Sequence, residues 1–532
     1  MRRSLLLSLP FLLLACSTFG SDDASSSGST PPGEDAGIDA VDRTPVAELL
    51  SLVPLAKGPV FVIQGASVEV PLTILRGKNV PDPITVTVEG LPTGVAPALL
   101  QFGIGETKAK LSIQAAGDAK QALVQAKVRV TSGKITSTTP LELFVRGAPG
   151  ALDTTFGDGG FIAKVIGDGQ NNGARDVQVL ADDSIVVTGN CATSTGDYAC
   201  IVKYGRDGKP NAAFGGSGIA RLKSVLGPAS VAVTAAGKFV IAGLVPLTFD
   251  TVGVKRVNAD GSLDTSFGTN GTCDTVAGLL VGPVTGVLLR PKDGAIFTQF
   301  QRRVAGGAVS IGLLKRGANC EADSAFGTSG MAPISWSTMT LPLGLTLRGD
   351  KPVVIGRSAV NPTNYGIAQV DGETGALDAA FGTNGMTLWP TASKPDVDGG
   401  SHSGIVLLPS GAIVANVPLQ SGFLVANIQP DGKTLAANFG TGGTLTIASG
   451  NPTDLVRQGD GKLLLNVASG STEVRRLDAN GSTDMTFGTG GKFVDSRFRG
   501  QRIKQQQDGR IIVFGEVGGF NDLDMALVRL WN

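Results

Sequence analysis

The stretch NADGSLDTSFGTNG, residues 258–271, contains a turn motif that is repeated along most of the chain. The turn ends in Phe-Gly and recurs about every 55 residues, a period typical of repeat proteins. A phenylalanine at one position of every repeat indicates a core wedge between neighbouring units, in preference to a platform for stacking a ligand. The seven copies carry Phe156, Phe214, Phe267, Phe326, Phe381, Phe439 and Phe487.

Each period also contains a hairpin signal, two short apolar runs on either side of a turn. Examples are DVQVLADDSIVVTG at 176–189 and IKQQQDGRIIVFGE at 503–516. Asp-Gly and similar pairs between alternating strands favour a tight turn, because glycine accepts a positive φ. One strand before the Phe-Gly turn and one after it bring each period to four strands. The sequence therefore predicts an all-β chain with a seven-bladed β-propeller over residues 149–532.

The repeat also carries a family resemblance. The combination of a DG turn, a valine-rich strand and an L-D-x-x-F-G turn resembles the delta-60 repeat of exported bacterial proteins, most closely at 258–271 and 375–385. The resemblance is weaker at 435–440, where alanine replaces the aspartate. It implies a propeller fold and export. The family has no common catalytic residues to carry over, so the resemblance says little about activity.

The first and last periods of the repeat are each incomplete in sequence, which predicts how the propeller closes. The last period stops at MALVRLWN, whereas the first Phe-Gly turn follows directly on the preceding domain. We expect the strand from Phe161 to Ile166 to complete the blade built by residues 502–532, which would remove exposed strand edges. The alternative is that every blade is complete in sequence and that only side chains close the ring.

The first residues are typical of an export signal. Arg2 and Arg3 precede an apolar stretch, Leu5 to Leu14, that is too short to span a bilayer. The following LLAC resembles the lipobox of bacterial lipoproteins, which implies a lipoprotein signal peptide at 1–15 and lipidation of Cys16. With Ser17 after the cysteine, the resemblance implies an outer membrane lipoprotein facing the periplasm or the cell surface. The alternative is an ordinary cleaved signal peptide.

Two segments separate this signal from the repeats. Residues 16–47 are rich in Ser, Gly, Asp and Pro and predict a flexible tether. Residues 48–148 alternate apolar and polar positions in about seven short runs, which favours a β-sandwich. The segment resembles the immunoglobulin-like domains of bacterial surface proteins, although it contains no cysteine. We expect a spacer, with a recognition edge as the alternative.

Four cysteines remain in a chain that we expect to be exported, where disulfides persist. Cys191 and Cys200 flank the connection between two predicted antiparallel strands, so we expect a bridge across that hairpin. Cys273 and Cys320 lie at equivalent ends of successive periods, and a bridge between neighbouring blades is a weaker expectation.

The composition excludes several classes of function. Lys plus Arg and Asp plus Glu number 45 each, so no net charge favours binding to nucleic acid. The aspartates of the turn, such as Asp264, Asp378 and Asp484, could bind calcium, but the spacing lacks the usual ligand set and favours capping of a turn. We expect no metal and no cofactor.

Catalytic motifs are also missing from the sequence. It contains no GxSxG, HExxH or P-loop motif, and its single histidine, His402, lies in a polar segment with Asp396 and Asp398. We interpret this histidine as solvated, with an acid/base pair as the alternative. Arg302 and Arg303 favour a surface hairpin over an anion site.

The predicted function is a membrane-tethered, monomeric binding module whose ligand is a protein or a polysaccharide. The alternative is a propeller enzyme, a hydrolase or lyase with carboxylates in the central channel. Convergent carboxylates along the channel would favour catalysis, whereas a polar but unfocused lining would favour recognition.

Overall fold

The computed structural model describes residues 49–55, 58–164, 172–193, 196–223, 226–245, 248, 250–276, 280–303, 309–334, 339–358, 364–390, 404–419, 421–519 and 523–532. Within these ranges the regular structure is entirely β-strand. The predicted signal peptide, the tether and Cys16 lie outside the described residues. Within the described residues, no helix is long and apolar enough to cross a membrane.

Two sheets share one hydrophobic core in the N-terminal part of the chain. The strands are β1 (Leu50–Leu52), β2 (Val60–Ile63), β3 (Ser67–Arg76), β4 (Ile84–Glu89), β5 (Val95–Pro97), β6 (Leu100–Phe102), β7 (Lys108–Ala115), β8 (Ala122–Ser132) and β9 (Ile135–Arg146). Their orders are β1-β3-β7-β5 and β2-β9-β8-β4-β6. Alternate residues of β3, β7 and β9 are buried, as expected when only one face of each sheet meets the core.

The repeat region forms seven four-stranded sheets, in agreement with the four strands predicted for each period. The first four sheets in chain order contain β11 (Ala174–Val179), β12 (Ile185–Thr193), β13 (Gly196–Tyr204) and β14 (Ile219–Leu222); β15 (Leu226–Val233), β16 (Phe239–Leu244), β17 (Thr251–Val257) and β18 (Thr272–Val276); β19 (Leu280–Leu289), β20 (Ile296–Arg303), β21 (Val309–Arg316) and β22 (Met331–Ile334); and β23 (Met339–Arg348), β24 (Lys351–Ser358), β25 (Asn364–Gln369) and β26 (Met386–Pro390). The next two contain β27 (Ile405–Leu407), β28 (Ile413–Pro418), β29 (Phe423–Ile428) and β30 (Thr444–Ile447); and β31 (Asn451–Arg457), β32 (Leu463–Ala468), β33 (Thr472–Leu477) and β34 (Lys492–Asp495).

The seventh sheet joins the two ends of the repeat region. It contains β35 (Arg499–Gln505), β36 (Ile511–Val517), β37 (Asp524–Leu530) and, as its fourth strand, β10 (Phe161–Lys164). Strand β10 runs antiparallel to β37, with Phe161 opposite Val528. The predicted closure is therefore confirmed for Phe161–Lys164, and residues 165–166 lie outside the described ranges. Because β37 pairs with β36 on one side and with β10 on the other, it has no unpaired edge.

The first strands of the seven sheets form a closed circle. Each of β11, β15, β19, β23, β27 and β31 contacts the first strand of the next sheet, and β35 contacts β11. Apolar side chains from facing sheets fill the space between neighbours; one such cluster joins β36 and β37 to β11, β12 and β13. Neighbouring sheets thus stabilise one another around the whole circle.

The Phe-Gly turn is the wedge between these sheets, because all seven of its phenylalanines are buried. Gly268 follows Phe267 with φ +53°, and a Cβ there would lie 2.3 Å from the carbonyl oxygen of Thr272. Only glycine avoids this clash, which explains the Phe-Gly pair. Asp264 Oδ1 accepts hydrogen bonds from the backbone N–H (3.2 Å) and hydroxyl (2.6 Å) of Ser266, which is the predicted turn capping.

The same aspartate makes an ion pair that the sequence analysis missed. Arg256 Nε donates to Asp264 Oδ2 at 2.6 Å, and its guanidinium carbon lies 4.7 Å from the centre of the Phe267 ring. Burial opposes ionisation of Asp264, but hydrogen bonds from Lys238, Ser266 and Arg256 outweigh it and lower the pKa of the carboxyl group. The set recurs as Arg476, Asp484 and Phe487, and as Arg529, Asp153 and Phe156.

Two disulfides are present, as predicted. Cys191 and Cys200 join β12 to β13 with their Cα atoms 5.8 Å apart. Cys273 of β18 and Cys320, in the turn after β21, join neighbouring sheets with a Cα separation of 5.7 Å. The first bridge closes a short hairpin, whereas the second links two repeats.

The N-terminal sheets contact the repeat region through a small polar and aromatic junction. Gln121 accepts hydrogen bonds at Oε1 from the backbone N–H of Thr154 and from Nε1 of Trp531, both at 2.9 Å. The ring of Phe144 packs edge-on against Trp531, with centroids 5.6 Å apart. These contacts involve the first Phe-Gly turn and the residue after β37, so the junction lies beside the closure of the circle.

Candidate functional site

A cavity of about 510 Å³ occupies the centre of the circle. Its lining comes from the first strand of every sheet: β11, β15, β19, β23, β27, β31 and β35. Ligand sites are commonly concave and of this size, and this cavity is shared by all seven sheets. The cavity is therefore the candidate functional site.

An irregular strand pairing recurs where the first strands line this cavity. In six of the seven first strands, pairing with the second strand shifts register at one position of the repeat, and such shifts re-aim a side chain. The residue after the shift lines the cavity and is of four types: Asp, Ser, Gly or Arg. The six residues are Asp176, Ser230, Gly286, Gly344, Asp454 and Arg502.

The two aspartates at this position bind backbone groups of their own and the next sheet. Asp176 accepts the N–H of Val177 at Oδ1 (2.8 Å) and the N–H of Val231 at Oδ2 (3.0 Å). Gln178 completes the link by donating to the carbonyl oxygen of Val231 at 3.0 Å. Each first strand would otherwise present unpaired groups to the cavity. Asp454 repeats the arrangement with Leu455 and Ile503, and Ser230 accepts the N–H of Val287.

The basic residues of the cavity come from β31 and β35. Arg502 Nε lies 3.7 Å from Asp176 Oδ1, and its Nη1 donates to two backbone carbonyl groups. Lys504 Nζ lies 3.8 Å from Asp454 Oδ2, which is an ion pair but not a hydrogen bond. Arg457 also lines the cavity. All five charged lining residues thus belong to three first strands, β11, β31 and β35, which follow one another around the circle.

The electrostatics of Asp176 combine opposing effects. Burial raises the pKa of its carboxyl group, while Lys504, Arg502 and the backbone N–H groups act in the opposite direction. The net direction is upward. Nearby, on β36, burial also raises the pKa of Glu516, against the effect of Arg175, whose Nη1 lies 3.7 Å from Oε1.

The rest of the cavity lining is uncharged and partly apolar. It contains the half-buried residues Leu288, Leu345, Ile405 and Leu407, together with the hydroxyl residues Ser230, Thr285 and Thr346. The site therefore has a charged side and an uncharged, partly apolar side, and the described lining contains no aromatic residue.

None of the described residues that were singled out from the sequence lines the cavity. His402, Asp396 and Asp398 lie outside the described residues. Arg302 and Arg303 end β20, where Arg302 Nη1 contacts the sulfur of Met331 at 2.8 Å. The phenylalanines and the four cysteines serve packing and cross-linking and do not line the cavity.

Sequence analysis missed the charged wall altogether. A signal exists in hindsight for three of the five charged residues, because Asp176, Asp454 and Arg502 each directly precede an apolar residue of a first strand, in RDVQV, TDLVR and QRIKQ. No group of three or more His, Cys, Asp or Glu that could hold a metal ion occurs in the described parts of the chain.

Comparisons with known proteins bear on the fold. Residues 236–267 and 458–487 match the family described as a domain of unknown function (DUF5122) beta-propeller. No curated protein matches the chain. Both matched segments run from a hairpin turn through the third strand of a sheet to a Phe-Gly turn, so they cover the repeat that builds the circle.

Several solved structures are similar at low identity. A quinonprotein alcohol dehydrogenase-like protein from Bacteroides thetaiotaomicron is 9% identical with a TM-score of 0.39, over 83% of this chain and 96% of that one. A protein of unknown function from Dyadobacter fermentans is 14% identical with a TM-score of 0.34, over 70% and 99%. The NanB sialidase of Streptococcus pneumoniae is 9% identical with a TM-score of 0.33, over 85% and 95%. The family match and the four-stranded sheets together show that this chain contains a β-propeller.

Proposed function

We propose that the protein is an exported lipoprotein, anchored to the outer membrane through Cys16, whose seven-bladed propeller is a binding module for a protein or polysaccharide ligand. The tether at 16–47 and an immunoglobulin-like domain at 48–148 would hold the propeller away from the membrane as a monomer. The seven sheets and their closed circle of first strands support the blade number. The two sheets around one core support the sandwich.

One observation carries the binding function. Both carboxylates of the cavity bind two backbone N–H groups each, at 2.8 to 3.0 Å. A carboxylate that holds neighbouring strands together is a poor general base or nucleophile, because moving it would break the packing of the first strands. Arg502 and Lys504 also separate Asp176 from Asp454 on the wall. The lining is polar but not focused on one reacting atom, which favours recognition.

The junction supports the role of the N-terminal domain as a spacer. Gln121 and Phe144 bind the propeller at Trp531 and Thr154, beside the Phe-Gly turn and away from the register-shift residues of the cavity. None of these junction residues lines the cavity, so the spacer role leaves its lining to the propeller.

The enzyme alternative rests on Asp176. A buried carboxyl group with a raised pKa in a cavity is a common feature of a catalytic acid. On this alternative Asp176 would donate a proton to a leaving group in a hydrolase or lyase reaction, and replacing it would abolish turnover.

Hydrogen exchange on the full chain tests the two possibilities. The chain is incubated with soluble probes, namely oligogalacturonate, maltohexaose and a tetraglutamate peptide, and each probe is recovered and analysed by mass spectrometry. The binding function predicts that a bound probe protects β11, β31 and β35 and returns intact. Protection confined to the N-terminal domain, or conversion of a probe that wild type but not Asp176→Asn catalyses, would contradict it.

A further inference from the structure

The charges of the cavity do not balance. Its lining contains three cations, Arg457, Arg502 and Lys504, and two carboxylates, Asp176 and Asp454. Each carboxylate also accepts two backbone hydrogen bonds, so it divides its acceptor oxygens between the backbone and the cations. The wall therefore has surplus positive charge and hydrogen-bond donors without matching acceptors.

The side chains of two of these cations make no hydrogen bond with a described residue. Lys504 is 3.8 Å from Asp454 Oδ2 and makes no hydrogen bond in the described parts of the chain, and its side chain keeps 29% of its surface exposed. Arg457 has neither a hydrogen bond nor an ion pair with any described residue, and it is half-buried in the lining. A lysine ammonium group has three donors, so an anion in the cavity would complete its bonding.

The other wall specifies what the anion must be attached to. Leu345, Ile405 and Leu407 line the same open cavity as Lys504 and are only half-buried. Covering these residues with an apolar group of the ligand would release water from the protein and from the ligand and so favour binding. A volume of about 510 Å³ admits a small molecule or one terminal group of a larger ligand.

We propose that the cavity binds an amphipathic carboxylate, with the carboxylate group against Lys504 and the apolar body against Leu345, Ile405 and Leu407. This inference rests on the proposed binding function and names the chemical class of its ligand. Neutral sugars would lack the anion. Polyanions without an apolar part would leave Leu345, Ile405 and Leu407 in contact with water.

A pair of matched probes tests the proposal on the full chain. Hexanoate and hexanamide share one apolar body and differ only in the charge of the head group. Titration calorimetry should show hexanoate binding at least tenfold more tightly than hexanamide, because only the acid pairs with Lys504. Raising the salt concentration should weaken the binding of hexanoate and leave the affinity for hexanamide unchanged.

Variants then locate the site. Lys504→Gln should weaken hexanoate about fivefold or more without changing the affinity for hexanamide. Lys209→Gln is the matched control, because Lys209 is exposed outside the cavity and pairs only with Asp207. Leu345→Asn should weaken both probes.

Three results would overturn the inference: equal affinity for acid and amide, an unchanged hexanoate affinity in Lys504→Gln, or no hexanoate binding at 50 mM, roughly the weakest binding that such a site would give. Protection of β11, β31 and β35 by an oligosaccharide, with no hexanoate binding, would leave the binding function standing and refute only the ligand class.

Discussion

Arg529 Nε donates to Asp153 Oδ2 at 2.7 Å and so joins two residues that are 376 positions apart in the chain. Within single repeats, Arg256 meets Asp264 and Arg476 meets Asp484 only eight positions apart, with Nε to Oδ2 distances of 2.6 Å. The long-range pair is thus the ordinary pair of the repeat, divided between the two ends of the propeller. Side chains and the β10–β37 pairing close the circle at the same place.

The first prediction concerns this buried ion pair. Arg529→Met should lower the free energy of unfolding by about 3 kcal/mol, because it leaves the buried carboxylate of Asp153 without its main partner. Urea denaturation of the propeller followed by circular dichroism measures the change. Arg206→Met, which removes an exposed arginine from the next turn, is the control and should change stability by less than about 0.5 kcal/mol. Equal stability of Arg529→Met and wild type would contradict the role assigned to the pair.

The second prediction concerns acid. The pKa of Asp264 is lower in the folded protein than in the unfolded chain, so its contribution to stability is complete above about pH 4 and is lost as the pH falls further. Asp264→Asn should be less stable at pH 7 by about 3 kcal/mol and should lose less stability than wild type between pH 4 and pH 2. Unfolding free energies across this range measure the difference. Parallel curves for the two proteins would contradict the prediction, and Asp118→Asn, at an exposed position of the N-terminal domain, is the control.

The third prediction separates the two disulfides. The bridge between Cys273 and Cys320 spans 47 positions and the bridge between Cys191 and Cys200 spans 9. Loop entropy then gives about 4 kcal/mol for the longer loop and about 2.6 kcal/mol for the shorter one. The double variant Cys273→Ser with Cys320→Ser should therefore unfold at lower urea than Cys191→Ser with Cys200→Ser. The reverse order would show that loop length does not govern these bridges.

The fourth prediction concerns the proposed anchor. Cys16→Ser should abolish labelling with palmitate and leave an unprocessed precursor or a soluble protein, because the sulfur that accepts the lipid is gone. Fractionation of cells that express each form measures the location. Cys191→Ser is the control and should keep the label. Palmitate that persists in Cys16→Ser would refute the anchor.

The architecture could be predicted because it depends on features that repeat. The hairpin turns, Phe267 and its six equivalents recur at a fixed period, and they follow from local backbone preferences. The same period shows that the last blade lacks a strand, which Phe161 and its neighbours supply. The cavity could not be predicted in this way. Asp176, Asp454 and Arg502 occupy one position of the repeat, but that position varies between charged, hydroxyl and glycine residues. Its exposure to the channel depends on a register shift, which alternation of apolar residues does not show.

Phe161–Lys164 is the strand that closes the propeller around its cavity. Hydrogen exchange can test it in the full chain after Phe161–Lys164 is replaced by Gly-Ser-Gly-Ser. The matched control replaces Thr444–Ile447, the fourth strand of another sheet, in the same way. We predict that the first change lowers the protection of Met525–Val528, which lie opposite the replaced strand, and leaves Phe423–Ala426 protected, and that the control does the reverse. Unchanged protection of Met525–Val528 after the first replacement would show that Phe161–Lys164 does not close the propeller.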